Sequence, residues 1–430
     1  MKGNFQLITI IVFMVAAVVG ILVFSGAIPI GDSGSSGSLG DVVLWGTVPA
    51  TAIANPLKEF NDANPAFVVK YEQKSAETFD KDLLEALATG TGPDIFFLPD
   101  NLAFHYSDKI FTIPYASYPL ASFKSVFAGA GEVFLTQNGI LAFPISIDPL
   151  MLYYNRSMLD ANGVVYPPAT WNDLTGMVSI LTKKDEANKI TKSAVALGHF
   201  GNIVHAKDIL SALFIQAGNP IIIEKDGMFT PTLDALVGNY NLPSILKFYT
   251  NFADPNDPVY SWNRSFSNSD EAFSKEDLAF YFGYASEIPT LVNRNPNQNF
   301  FIAPIPQIKG ATFKSTGARV TGVAISSSSK NFDIAFTAAN LLTTSDFASK
   351  FAAATGVAPA RRNLLSIKPT DAFSPVFYDS ALFARSWLDP SPKDTDNIWS
   401  AMINGVLSNA MDPDEAIGDA SSKLSILLFK

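Results

Sequence analysis

The stretch that decides the fold runs from Val42 to Phe97. It opens with Val42-Val43-Leu44-Trp45, passes through Phe67-Val68-Val69, and closes on Asp94-Ile95-Phe96-Phe97. Each of these short apolar runs is bounded by turn residues and reads as a buried strand. Between the first two, Asn55-Pro56 is a cap and first-turn pair for a helix through about Ala63, with Leu57 and Phe60 inward. Between the second and third, Phe79, Leu83 and Leu87 recur four residues apart and Gly90 stops the helix. A β-α-β-α-β succession predicts a parallel sheet with helices on its faces. Ligands of such sheets bind beyond the carboxyl ends of the strands, which puts Trp45–Thr47 and Leu98–Asn101 at the predicted ligand edge.

Beyond residue 300 similar elements return in a less regular order. Phe300-Phe301-Ile302-Ala303 and Val320–Ile325 read as strands, and Asn331 caps a helix whose Ile334, Ala338, Leu341 and Leu342 share a face. Residues 150–298 read as mostly helical. No repeat of 20–50 residues is visible.

Towards the amino terminus, Leu7–Phe24 is an uncharged apolar run preceded by Lys2. As a helix it covers about 27 Å, close to a bilayer's hydrocarbon thickness. Its length favours an uncleaved transmembrane anchor, while Ser25-Gly26-Ala27 offers a pattern that a signal peptidase could cut. Gly31–Gly40 is a Gly/Ser linker. Residues 1–30 are thus an anchor or signal segment, 31–40 a tether, and the rest lies outside the cytoplasmic membrane.

Composition narrows the chemistry. The 430 residues carry 30 Lys and Arg against 40 Asp and Glu, a net charge of −10, and the chain is 48% hydrophobic. Without a basic cluster, nucleic acid is not an expected partner. There is no cysteine, which excludes disulfides, thiolate metal sites and Cys nucleophiles. Three histidines leave few zinc ligands, and His199 and His205 do not share a helical face. Gly129-Ala130-Gly131 lacks a dinucleotide fingerprint, no phosphate loop occurs, and Ser327–Lys330 matches S-x-x-K without its companion motifs. No cofactor is expected. What remains is aromatic content: Trp45 at a strand end, Trp262 in a loop and Tyr284 after Gly283 can each pack in a core or stack on a sugar ring.

The order of segments resembles the extracellular solute-binding proteins of ABC importers, family 1, the maltose-binding type. The resemblance is carried by VVLWGT, FNDANP, and Leu87-Ala88-Thr89-Gly90-Thr91-Gly92-Pro93-Asp94-Ile95. It continues through Phe143-Pro144-Ile145-Ser146-Ile147-Asp148 with Leu152–Asn155, and Pro167-Pro168-Ala169-Thr170-Trp171. Gln216-Ala217-Gly218, Gly283 and Ala358–Arg362 look like later family positions. The usual lipobox cysteine is missing, so the transmembrane helix would replace a lipid anchor, and the last third matches less well.

The resemblance implies an α/β, bilobed type 2 periplasmic-binding-protein fold preceded by the N-terminal transmembrane helix. Lobe one would comprise 41–147 and 300–345, and lobe two 151–298 and 350–430, with strands crossing near Ser146–Pro149 and Phe300–Pro304. The implied function is capture of a solute, an oligosaccharide, in the interlobe cleft, and delivery to ABC permease subunits by hinge closure. The expected ligand contacts are Trp45, Trp262 and Tyr284 by stacking, and Asp100, Asp148 and Arg362 by polar contact. Two alternatives stay open on the same scaffold. A membrane-anchored glycosidase would need two converging carboxylates; a permease-free sugar sensor or adhesin would lack neighbouring permease genes.

Overall fold

The computed structural model describes residues 40–235 and 241–429. The expected anchor and tether, residues 1–39, lie outside the described residues. Among the described residues, no helix is long and apolar enough to cross a membrane.

Strands β1 (Asp41–Gly46), β2 (Val68–Gln73) and β3 (Ile95–Pro99) form where the apolar runs predict them. β1 pairs in parallel with both neighbours. Helix α1 (Ala50–Ala63) buries Ile53, Leu57 and Phe60. It begins a turn and a half earlier than Asn55-Pro56 suggests, so Pro56 sits inside it. Tertiary packing of the apolar face outweighs the lost N–H. Helix α2 (Phe79–Thr89) buries Phe79, Leu83, Ala86 and Leu87, carries Asp80 and Asp82 in its first turn, and stops at Gly90, whose φ of 68° needs a residue without a Cβ. Asp94 ties this half together: its carboxylate accepts from the Val43 N–H at 2.9 Å and from the Ser329 hydroxyl at 2.6 Å. The serine-rich loop before Lys330 is thereby a clasp on β3.

Strand β4 (Ala142–Asn155) is long enough to serve both halves of the molecule. β5 (Ile190–Val195), β6 (Leu278–Tyr284), β7 (Phe300–Pro304) and β8 (Thr316–Ile325) complete the central sheet. Its order is β2-β1-β3-β8-β4-β6-β5, with Lys183–Lys184 at the edge. β8 runs antiparallel to β3 and to the first part of β4, whereas β6 and β7 run antiparallel to the second part of β4. β8, and not the expected Phe300–Pro304, is thus the strand that pairs with β3 and with the first part of β4. Apolar periodicity marks both as buried strands and does not say which neighbour each pairs with.

Helix α3 (Trp171–Leu181) starts in a capping box. The Asp173 N–H donates to the Thr170 hydroxyl, and the Thr170 N–H to the Asp173 carboxylate. Trp171 stacks on Phe282 at 5.6 Å and donates its indole N–H to Gln216, at the end of α4 (Ala206–Gln216). After α5 (Phe332–Leu342), α6 (Ser345–Thr355) packs on α1 through Phe347 against Phe60 and Lys350 to Glu59 at 2.7 Å. The expected break between lobes at residues 345–350 thus falls within a helix that sits on the first half. Ala358–Pro359 then pairs with Ser146–Ile147 of β4. The last helices, α7 (Pro392–Leu407) and α8 (Pro413–Leu428), pack on each other and on the helix Leu242–Asn251. One hydrophobic cluster runs through the sheet and its helices, with Phe96, Phe143, Tyr153, Trp262 and Trp399 fully buried.

Candidate ligand-binding site

The carboxyl end of β3 delivers Pro99 into a short 3-10 turn, Asp100–Leu102. β4 and β8, antiparallel, bring Ser146 and Asp148, and Arg319 to Thr321, to the same level. From the other half come the end of β6 at Tyr284 and the amino end of α4 at His205 to Asp208. The segment from Arg385 to Lys393 closes the circle. Together they enclose two connected chambers. The smaller, about 480 Å³, is bordered by Phe200, Lys207, Asp208, Tyr284, Ser386 and Trp387 among others. The larger, about 910 Å³, is bordered by Thr47, His105, Ser146, Asp148, Ser286 and Thr321. Asp100, Asn101, Arg319 and Pro392 border both. Both volumes suit small-molecule ligands. Thr47 and Pro99–Asn101, which the strand-end rule applied to the sequence singles out, border the larger chamber.

Asp100 is buried and takes a short hydrogen bond from the Ser386 hydroxyl. Burial pushes its carboxyl up to about 6, although Ser386, backbone N–H groups and the Arg319 charge pull the other way. Asp148 accepts from the Ser286 N–H at 3.0 Å and is likewise raised by burial to about 6, against the hydrogen bonds of Ser286 and the charge of Arg319.

A tighter network lies behind them. His205 Nε2 lies 2.6 Å from Glu287 and Nδ1 3.6 Å from Asp208. Burial alone would lower this histidine, but the two carboxylates outweigh it and raise it to about 9. Burial opposes Asp208 too, yet His205, Arg319 and Lys207 hold it at about 2. Glu287 also accepts from the Tyr284 N–H at 2.9 Å and the Tyr281 hydroxyl at 2.5 Å. This is why residue 283 is glycine: a Cβ there would stand 2.5 Å from the Tyr281 ring and 2.9 Å from the Glu287 carboxylate. Lys207 is held by Asp389 at 3.0 Å and Asp396 at 2.7 Å.

Of the six expected contact residues, the structure brings Asp100, Asp148 and Tyr284 together at the chambers. The other three lie elsewhere. Trp45 is 9% exposed, its face is covered by the Lys74 ammonium at 3.6 Å, and it borders neither chamber. Trp262 is fully buried, stacked on Phe266 at 4.4 Å, with its N–H on Asn202. Arg362 is exposed on a short helix and donates to the Lys124 carbonyl. Strand-end and loop positions select both faces of an element, and only one face meets the cleft.

Sequence reasoning missed Arg319 and Trp387. Arg319 is the one charged residue of the strand Thr316–Ile325, which was a usable signal. Trp387 is partly buried, backed by Trp399 at 5.4 Å in a stacked arrangement, and turns towards the smaller chamber. Nothing local in Ser386-Trp387-Leu388 marks it.

Three comparisons bear on this site. A candidate binding protein of Brucella abortus (strain 2308) is 22% identical over 406 residues, which span 87% of this chain and 89% of that one. Among solved structures, a cyclo/maltodextrin-binding protein complexed with maltotetraose superposes with a TM-score of 0.72 at 16% identity, covering 92% of this chain and 98% of that chain. The sugar-binding protein MalE of Xanthomonas citri gives a TM-score of 0.73 at 18% identity, over 90% of this chain and 97% of that chain. At these identities the likeness shows the fold, and the architecture is the bilobed α/β periplasmic-binding-protein fold. The family model for bacterial extracellular solute-binding proteins, which are binders and not enzymes, matches residues 56–374. That span takes in both crossing strands and most of the cleft, and on it the chain belongs to the bacterial extracellular solute-binding proteins.

Proposed function

We propose that this protein captures an oligosaccharide in the cleft between its two halves and delivers it to the transmembrane subunits of an ABC permease. The observation that carries the reading is the combination of Asp100 and Asp148, two carboxylates that border the larger chamber, with the partly exposed indole of Trp387 in the smaller one. Carboxylates accept the hydroxyl protons of a sugar, and an aromatic face covers its apolar C–H face. The structural neighbours bind maltotetraose and sugars by name, which points the same way. In this reading Asp100, Asp148, Tyr284 and Trp387 are ligand contacts.

The two lobes are 41–147 with the β8-to-α6 region, and 151–298 with the last helices; β4 and β8 form the hinge. Closure around the ligand brings the 3-10 turn at Asp100 towards the amino end of α4. The permease, with its own ATPase, supplies the energy of transport. Family membership places the protein outside the cytoplasm. The apolar run Leu7–Phe24 is proposed to hold it at the membrane, in place of a lipid, through the Gly31–Gly40 tether.

The test is a thermal-shift screen of residues 41–430 against mono- and oligosaccharides, amino acids and short peptides. Saturation at about 100 times the dissociation constant adds about 2.7 kcal/mol. A shift with one oligosaccharide class and no product on long incubation is the expected result. A shift with peptides or amino acids alone would discard the carbohydrate. For the anchor, membrane fractionation together with the mass of the mature chain decides between retention and cleavage.

A further inference from the structure

The two chambers meet at Arg319, and its surroundings are unusual for an arginine so deep in a cleft. The side chain rises from β8 between the chambers, over the Tyr284 ring at 3.9 Å from the guanidinium carbon. Its side chain is 55% exposed. A guanidinium carries five N–H donors. Only one has an acceptor among the described residues, Asp208 Oδ2 at 3.4 Å. The platform beneath is rigid: Tyr284 is pinned by Glu287, Asp208 by His205, and Glu287 and His205 bind each other. The arginine is thus held by its face and one corner, at the border of both chambers.

Resting on the carbohydrate reading above, we infer that Arg319 is a specificity-determining residue that places a glycosidic linkage at the junction, so that the ligand is an oligosaccharide long enough to occupy both chambers. Each chamber is by itself the size of a small-ligand pocket, larger than one sugar ring needs, so a ligand that occupies both must have several units. Arginine only donates, whereas the carboxylates of Asp100 and Asp148 only accept when ionised. At the junction the ligand must therefore offer acceptor oxygens to Arg319 and hydroxyl donors to Asp100. A glycosidic or ring oxygen beside a free hydroxyl meets both demands. The forked geometry suits two neighbouring acceptors, and a lysine cannot reproduce it.

The experiment is isothermal titration of wild type, R319K and R319M with oligomers of one to six units from the linkage class that wild type binds in the screen, α-1,4-glucose oligomers being the first series. Circular dichroism and melting temperature establish that each variant is folded, and R319K retains the charge opposite Asp208 should R319M fail. In wild type, affinity should rise by at least about tenfold once the oligomer is long enough to span the junction. R319M should erase that rise, a loss of about 10- to 100-fold for the long oligomers, the scale of hydrogen bonds to a charged group. Affinity for the shortest binding oligomer should stay within about threefold. R319K should fall between. An equal loss at every length in a folded variant, or no loss at all, overturns the role of Arg319 and leaves the carbohydrate reading standing. A wild type that binds no oligosaccharide overturns both.

Discussion

Asp148 and Arg319 stand directly opposite each other on the two antiparallel strands that cross between the halves of the molecule. Each strand also carries the chain from one half towards the other. A ligand that touches both residues therefore contacts both crossing strands at one level. With β4 and β8 as the proposed hinge, the cleft's ionisable groups and its pivot occupy the same few residues.

That coincidence makes ligand affinity pH-dependent. Hydroxyl donors stabilise the ionised forms of Asp100 and Asp148, whose carboxyls are raised to about 6 in the free protein. Binding should then release protons below neutral pH, and affinity should fall as the pH drops below about 6, by at most about tenfold per unit for each group. Titration calorimetry at pH 5 and pH 7.5, in buffers of different ionisation enthalpy, measures both quantities. A flat profile would remove the carboxylates from the contact set.

Stability should show the opposite slope from the same groups. A carboxyl raised in the folded state contributes stability that is fully present below its unfolded value near pH 4 and is lost as pH rises through about 6. Replacing Asp100 by Asn keeps an acceptor for Ser386 and removes the buried charge. D100N should be more stable than wild type by about 1–2 kcal/mol at pH 7.5, with no gain at pH 4. Urea unfolding at the two pH values checks it.

His205 titrates at the alkaline end. Its folded value of about 9 lies above the unfolded one, so its contribution is full below about pH 6.5 and lost as pH rises through 9. Wild type should lose about 2–3 kcal/mol across that window. H205Q should be less stable at pH 6 and should show a much smaller slope, because its amide hydrogen-bonds Glu287 or Asp208 without a charge to lose.

The two tryptophans separate packing from binding. Trp387→Ala should weaken oligosaccharide binding by about 10- to 100-fold, the scale of uncovering one large side chain, with modest loss of stability because Trp399 remains behind it. Trp262→Ala should cost about 3–5 kcal/mol of stability, since it removes a fully buried indole and leaves Asn202 without its donor. Its affinity, measured where the variant is folded, should stay near wild type.

Much of the architecture was determined by the sequence alone. The alternation of apolar runs and amphipathic spacings between Val42 and Phe97 set the parallel sheet, because periods of 2 and 3.6 are local properties of the chain. Gly90 marked a helix end through its own backbone demand. The strand-end rule pointed to Thr47 and Pro99–Asn101, residues that border the larger chamber, Asp100 among them. Tertiary structure alone decided which side chains meet there. Pairing of β8 with the first part of β4 brings Arg319 opposite Asp148, residues far apart along the chain. Burial of Trp262 and partial exposure of Trp387 follow from which loop the last helices cover, and composition treats the two indoles alike. Long-range pairing is a sum over many weak contacts across the sheet, so no window of sequence contains it, whereas the strand and helix periods are complete within a dozen residues.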